Sequence, residues 1–339
     1  MNVTERWNEP IFIVGAPRSG TTLLRNMLNR HPAITIYRDS DFYHYVYRRR
    51  RSFGSLSDLR NRQRLAKEYL STRFVRRMPM DAQALEAELL AEGLNYKAFY
   101  LSLLRFYAQA QGKKRCGDKT HSALFTETLC EWYPGASIIH LVRDPRDVVA
   151  SLLRLKWADQ NVLGNARLWL RCNLAAGRSR HRPKYLLVHY EQLATKPEGV
   201  LRGICSFVGE AYSPAMLVPN QDPSADRPWL QRAEEPVTTE RLGKWRQQLT
   251  VDQIALIEWL VKPHMQTFGY EPAGGLPSNL AIAKGLASAL YDAVRRSAGE
   301  FPRIWYSLTG STQLAKEEAA KERFRRRQLA APASPEECP

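Results

Sequence analysis

Residues 11–28 limit the fold more than any other stretch. Ile11-Phe12-Ile13-Val14 is a short unbroken apolar run, as expected of a strand buried on both faces. A loop with a glycine at each end, residues 15–20, follows directly. Leu23, Leu24, Met27 and Leu28 then recur at helical spacing, and His31-Pro32 stops that helix. A strand that turns straight into a helix opens an α/β domain. A second unit repeats the plan: Ile138-Ile139-His140-Leu141-Val142 reads as strand, and Arg143-Asp144-Pro145-Arg146-Asp147 as the turn into a helix. Asp144 is placed to cap that helix, Pro145 suits its first position, and Asp147 makes its first turn acidic. Val148, Val149, Leu152 and Leu153 supply its buried face. A third strand is expected at 185–190, and helices over 83–111, 121–133, 164–180, 196–209 and 251–268. The expected fold is α/β and three-layered, a central parallel sheet between helices, with a helical insertion (38–110) after the first strand–helix unit.

The segment Gly15-Ala16-Pro17-Arg18-Ser19-Gly20-Thr21-Thr22 has the frame G-x-x-x-x-G of a Walker A loop, a geometry that aims backbone N–H groups at a phosphate. The position after the second glycine separates the classes. A nucleoside triphosphatase has Lys there; this chain has Thr21, and its cation, Arg18, sits inside the loop. Without that Lys, and with no acidic pair evident for Mg²⁺, triphosphate hydrolysis is poorly supported. A bare glycine turn would leave Arg18, Ser19, Thr21 and Thr22 idle. Arg143 leaves the sheet at a strand's carboxyl end, where open α/β sheets bind ligands. Ser151 follows about two helical turns beyond Asp144 and can add a hydrogen bond. A bidentate Arg suits a dianionic phosphate better than Lys does. The competing reading pairs Arg143 with Asp144 or Asp147.

The charge balance favours an anionic ligand: 50 Lys and Arg against 34 Asp and Glu give +16 over 339 residues. Half of that excess lies in 38–77, with twelve basic and four acidic residues and the run Arg48-Arg49-Arg50-Arg51. The five cysteines, at 116, 130, 172, 205 and 338, include no C-x-x-C pair, so neither a zinc ribbon nor a disulfide framework is indicated and a reducing compartment fits. No apolar run reaches the roughly 18 residues of a membrane span. Glu5, Arg6 and Glu9 ahead of the first strand leave no room for a signal peptide. A cytoplasmic protein is expected, with peripheral contact to anionic membranes and homodimer formation both open. The tail from about residue 312 reads as a solvated helix followed by disorder.

The two anion-binding elements resemble those of sulfotransferases that use PAPS (3′-phosphoadenosine 5′-phosphosulfate). The 15–22 loop is similar to the family's 5′-phosphosulfate loop. Arg143-Asp144-Pro145-Arg146-Asp147-Val148-Val149-Ala150-Ser151 is similar to its 3′-phosphate motif, an Arg at a strand end and a Ser eight residues on. Val188-His189-Tyr190-Glu191-Gln192-Leu193 and Pro236-Val237-Thr238-Thr239-Glu240-Arg241-Leu242-Gly243-Lys244-Trp245 resemble segments of tyrosylprotein sulfotransferases, so the resemblance runs from about residue 11 to 270. It implies a P-loop-like sulfotransferase domain over 1–275, a helical extension over 276–339, and PAPS as co-substrate without a metal. It further implies that Arg18, Ser19, Gly20, Thr21 and Thr22 hold the 5′ end of the nucleotide. Arg143 and Ser151 would hold the 3′-phosphate, with Tyr190 near the adenosine and Lys244 near the phosphates. By residue type alone, Tyr190 could as well edge the core and Lys244 lie over Trp245.

Transfer of a sulfuryl group to a hydroxyl needs a base and positive charge at the bridging oxygen. The moving group carries about one charge fewer than a phosphoryl group, so Lys and Arg can stand in for Mg²⁺. Arg18 is the first candidate. Lys119, in Cys116-Gly117-Asp118-Lys119-Thr120-His121 between two expected helices, is the second: the segment resembles the family's Lys-Thr element, whose Lys approaches the transferred group. The competing reading is a surface Lys paired with Asp118. Two bases stay open. Placing the chain on the tyrosylprotein enzymes at His31-Pro32 puts their acidic residue at Asp39, with Asp41 two residues on. Lys119-Thr120-His121 also resembles the Lys-Thr-His of cytosolic small-molecule sulfotransferases, in which the His is the base. His121 would titrate near neutrality unaided, whereas Asp39 needs burial to raise its pKa and Arg38 opposes that.

One departure bears on the acceptor. The tyrosylprotein enzymes are secretory proteins with cysteines in this region, but Ile36 and Tyr37 occupy the place of a partner for Cys116, which argues against an oxidised, lumenal enzyme. The long basic segment 37–110 opens with Tyr37, Phe42, Tyr43, Tyr45 and Tyr47. It reads either as an acceptor lid or as an exposed helical hairpin with Arg on its wet face. The expected activity is sulfuryl transfer from PAPS to a hydroxyl of a small metabolite, sugar or lipid, with tyrosine open. A P-loop kinase is opposed by Thr21 and would show Mg²⁺ dependence. A basic nucleic-acid-binding protein would show affinity falling steeply with salt. No nucleic-acid motif is recognisable, so no such partner is expected.

Overall fold

The computed structural model describes residues 9–38, 40–76, 78, 81–120, 123–155, 160–218 and 238–295. Among these residues five strands, β1 (Ile11–Val14), β2 (Ile34–Arg38), β3 (Arg115–Lys119), β4 (Ser137–Val142) and β5 (Tyr185–His189), pair in parallel in the order β2-β3-β1-β4-β5. Three of them lie where the apolar runs place them. The other two are additions: β2 separates the first strand–helix unit from the insertion, and β3 occupies the segment read as a link between helices. β3 spells Arg-Cys-Gly-Asp-Lys, all buried, so its place near the centre of the sheet rests on partners rather than on apolar side chains. The Arg115 guanidinium donates to the Val208 carbonyl at 2.7 Å and to Glu210 at 3.2 Å. Gly117 allows the close approach of β1, since a Cβ there would stand 2.1 Å from the Ile11 carbonyl oxygen.

Among the described residues the ten longer helices are α1 (Thr21–Asn29), α2 (Leu59–Leu70), α3 (Ala82–Leu90), α4 (Tyr96–Ala110), α5 (Thr126–Trp132), α6 (Pro145–Leu153), α7 (Val162–Gly177), α8 (Pro197–Val208), α9 (Val251–Thr267) and α10 (Asn279–Arg295). The expected single helix over 83–111 is two, α3 and α4. Gly93 turns left-handed between them, and Asn95 accepts a hydrogen bond from the Ala98 N–H to cap the second. Strand alternation splits the core into two layers. Ile11, Ile13, Ile36, Ile139 and Leu141 face α1 and α8 through Leu24, Leu28, Leu201 and Ile204. Phe12, Val14, Tyr37, Ile138 and Val142 face α6, α7 and the insertion. The helix after β1 thus covers one face and the helix after β4 the other. Between these adjacent strands the carboxyl edge opens into a crevice, the topological switch point of an open α/β sheet.

The aromatic start of the insertion belongs to the main core. Phe42 stacks on Tyr100 at 4.3 Å, and the Tyr43 and Tyr47 rings lie 5.0 and 4.9 Å from Phe125. An exposed hairpin therefore does not describe it, although Arg48, Arg49, Arg51, Arg60 and Arg64 are exposed on its outside. α10 lies against α7 and α9 through Ala281, Leu163 and Leu256. The tail read as a helix and disorder lies outside the described residues. Cys116, Cys130, Cys172 and Cys205 are buried, and burial pushes the Cys116 and Cys172 thiols up to about 12. Among the described residues no helix is long and apolar enough to cross a membrane.

Candidate active site

At the end of β1 the chain turns into α1 hard against β4. Gly15 makes this possible: a Cβ there would stand 2.3 Å from the Leu141 carbonyl oxygen. Gly20, at φ 90, occupies the left-handed region, and a Cβ on it would lie 2.4 Å from the Tyr190 ring. Between them Arg18 holds φ 69, a strained conformation for a residue with a side chain. α1 has no side-chain cap at Gly20, so its first N–H groups are available at the loop. Ser19 is fully buried, and its hydroxyl has no hydrogen-bond partner among the described residues. A buried hydroxyl of this kind, inside a cradle too tight for a Cβ, would fit a bound anion.

Arg143, at the end of β4, lies across the crevice. Its guanidinium stacks 4.3 Å over the Tyr190 ring and donates to the carbonyls of Arg18 (3.3 Å) and Arg241 (2.6 Å). Asp147 lies 3.5 Å away, while Nε is buried without a partner among the described residues. The alternative pairing with Asp147 is thus present but incomplete, and Asp144 is committed elsewhere. Asp144 takes a bidentate bond from Arg146, whose other nitrogen reaches Glu258 at 2.8 Å while its plane lies 4.0 Å over Trp245. Arg18 donates from Nε to the Ser151 hydroxyl at 3.1 Å, so the loop and the second motif meet directly.

Asp147 does more than make the first turn of α6 acidic. Its two oxygens accept the N–H groups of Gly243 (2.9 Å) and Trp245 (3.0 Å), which ties the 241–245 segment to the Arg143 motif. Lys244 sits between those two anchors with its side chain exposed. Trp169 donates its indole N–H to the Arg143 carbonyl at 2.9 Å. Glu191 accepts the Asp144 N–H and the Tyr270 hydroxyl, and burial, followed by the Glu191 charge, pushes that phenol well above its ordinary range. Sequence reasoning missed Asp147, Trp169, Glu191 and Glu258 as supports. The one signal for them was the density of charge in Arg143–Asp147, more than a helix start needs.

Arg18, Ser19, Gly20, Thr21, Thr22, Arg143, Ser151, Tyr190 and the Lys244 segment therefore gather at the β1–β4 crevice. Lys119 is on the other side of β1: it is buried, ends β3, and is the strand partner of Ile13 and Arg38. It is not a surface Lys. Asp118 turns to the opposite sheet face, where its carboxylate accepts from Ser40 and Tyr100. Asp39 and His121 lie outside the described residues.

A parallel sheet of this order, with a phosphate-type loop after its central strand and an arginine site after the next, defines the class of P-loop-like α/β group transferases. Residues 10–214 match the Sulfotransferase family, and the chain belongs to it. It is a sulfotransferase, an enzyme that moves a sulfuryl group to a hydroxyl acceptor. Protein-tyrosine sulfotransferase 2 of Gallus gallus is 25% identical over 291 residues, covering 79% of this chain and 71% of its own length. Omega-hydroxy-beta-dihydromenaquinone-9 sulfotransferase Stf3 of Mycobacterium tuberculosis is 26% identical over 324 residues, covering 81% and 79%. The sulfotransferase domain of the Synechococcus PCC 7002 olefin synthase superposes with a TM-score of 0.51 at 26% identity, over 78% of this chain and 96% of that one.

Proposed function

We propose that this enzyme takes its sulfuryl group from PAPS, with Arg18 and Arg143 at the two ends of the nucleotide. The observation that carries this reading is the Arg18–Ser151 contact beside the Ser19 hydroxyl and Arg143 Nε, buried and without a partner among the described residues: two cationic sites share one crevice and each has such a polar atom. Ser19, Gly20, Thr21 and Thr22 would hold the 5′ end through hydroxyls and the N–H groups of α1. Arg143 and Ser151 would hold the 3′-phosphate, Tyr190 the adenosine end, and Lys244 the rim near the phosphates. When bound, the donor supplies the activated S–O bond. The protein supplies positive charge at the bridging oxygen, from Arg18 and Lys119 in place of a divalent ion.

The direct test compares nucleotides. Adenosine 3′,5′-bisphosphate is expected to raise the melting temperature far more than AMP at equal concentration, because only the former reaches Arg143 and Ser151. Equal stabilisation would remove the assigned 3′-phosphate site. Acceptor extracts incubated with radiolabelled PAPS would then identify the hydroxyl, which we expect on a small metabolite, sugar or lipid, with peptide tyrosine as the other outcome.

Asp39 is our reading for the general base, by its position after the first strand–helix–strand passage, and His121 is its rival. Asp39→Asn is expected to lower kcat about a hundredfold, the ordinary scale of lost general-base catalysis. His121→Ala should keep most of it. Full activity in Asp39→Asn with loss in His121→Ala would reverse the assignment. A rate without Mg²⁺ equal to that with it would agree with the cationic mechanism.

A further inference from the structure

Asp118 is an aspartate where the fold does not ask for one. It is 1% exposed, and its register partners on β1 and β2 are Phe12 and Tyr37. Phe42 closes the same aromatic layer by stacking on Tyr100. An ionised carboxyl in such surroundings costs several kcal/mol of desolvation unless donors compensate it. Here they do. Oδ2 accepts from the Ser40 hydroxyl and the Tyr100 phenol, both at 2.6 Å, the short distance of charge-assisted bonds. The Ser40 carbonyl in turn accepts from the Tyr69 hydroxyl at 2.7 Å. The turn after β2 and helix α4 thus converge on one oxygen at the end of β3, and helix α2 braces that turn through Tyr69. Burial, and next the Asp118 charge, push the Tyr100 phenol well above its ordinary range, so it remains a donor at any working pH.

We propose that Asp118 is a positioning residue for Lys119: its doubly anchored carboxylate fixes the end of β3, and through it the root of the lysine that reaches the reacting group. The inference rests on the role given to Lys119 above. Apolar packing would hold the strand against the core but permits small slides, whereas two directional hydrogen bonds to one oxygen set the strand end in place. Lys119 is the next residue and leaves on the opposite face, so a shift of Asp118 becomes a shift of its Cα. Misplacement of a catalytic group by about 1 Å can cost on the order of a hundredfold in rate. The nucleotide sites sit beyond β1, at the β1–β4 crevice, so the effect should fall on turnover and spare donor binding.

Asp118→Asn keeps the shape and removes the charge. We expect kcat to fall by about tenfold or more, while KM for PAPS and Kd for adenosine 3′,5′-bisphosphate stay within about twofold. In a Lys119→Ala background the same change should cost nothing further, because the group it positions is gone. A folded Asp118→Asn enzyme with unchanged kcat would overturn the proposal, and so would a full multiplicative loss in the Lys119→Ala background or a parallel loss of nucleotide affinity. Where Asp118→Asn does not fold, Tyr100→Phe removes one bond, leaves the carboxylate and carries the same comparison. Full activity in Lys119→Ala would remove the lysine's role and this inference with it. An inactive Lys119→Ala beside a fully active Asp118→Asn would remove the inference alone.

Discussion

Lys119→Ala is expected to lower kcat by about a hundredfold or more, with the affinity for adenosine 3′,5′-bisphosphate nearly unchanged. The magnitude follows from losses of about 2.7–4 kcal/mol when one donor to a developing charge is removed from a water-poor site. Lys119 meets the structural condition for such an effect. It is buried at the carboxyl end of β3, one strand from the loop that begins at Gly15, rather than on the surface. Its stem lies on the far side of β1 from Arg143, so nucleotide binding has other anchors. Steady-state kcat at saturating PAPS and calorimetric Kd for the bisphosphate separate the two quantities. A kcat within threefold of wild type would exclude Lys119 from the chemistry. Equal losses in kcat and affinity would mean a disturbed fold.

The second large effect belongs to Arg143. Arg143→Ala should weaken adenosine 3′,5′-bisphosphate by tenfold at least, since one charge-assisted bond is worth roughly 1.5–3 kcal/mol. AMP should bind with little change, so the preference between the two nucleotides collapses. Arg143→Lys is expected to behave much like the alanine variant. The planar guanidinium stacks on Tyr190 and reaches the Arg18 and Arg241 carbonyls at once, and a single ammonium cannot reproduce that fork. Titration of each variant with both nucleotides measures this. Parallel weakening of the bisphosphate and AMP would show that Arg143 supports the loop through Arg18 rather than reading the 3′-phosphate.

The exposed arginines of the insertion do not enter either effect. Arg49 is held by Glu68 at 2.8 Å and lies 5.0 Å over both Tyr45 and Phe53. Such contacts fasten the outer face of the insertion to its own aromatic core. Surface pairs of this type contribute at most about 1 kcal/mol.

Parts of this molecule can be read without coordinates where chemistry and position coincide locally. Ile11–Val14 had to be a buried strand because four apolar residues end in a glycine turn. The Arg143 motif announced itself because a strand end, a capping Asp, a Pro and a Ser eight residues from the Arg all serve one helix start. The long-range anchors left no such local mark. β3 has no apolar run, since Gly117 is there for the closeness of Ile11 and Arg115 for a carbonyl and carboxylate far along the chain. The break between α3 and α4 turns on Gly93 and Asn95 inside a stretch whose apolar period continues across it.

By itself, then, the order of residues determined the parallel α/β class, the glycine-framed loop after β1, the second arginine motif and the family resemblance. The tertiary structure alone decided that Arg18 and Arg143 face one crevice, that Asp147 holds the Gly243–Trp245 backbone, and that Lys119 and Asp118 part to opposite faces of β3. The reason is one of distance along the chain. A strand, a cap or a glycine turn is governed by neighbours a few residues away, whereas the Ser40–Asp118, Gly243–Asp147 and Arg143–Arg18 contacts join groups 78, 96 and 125 residues apart, brought together only by the tertiary fold.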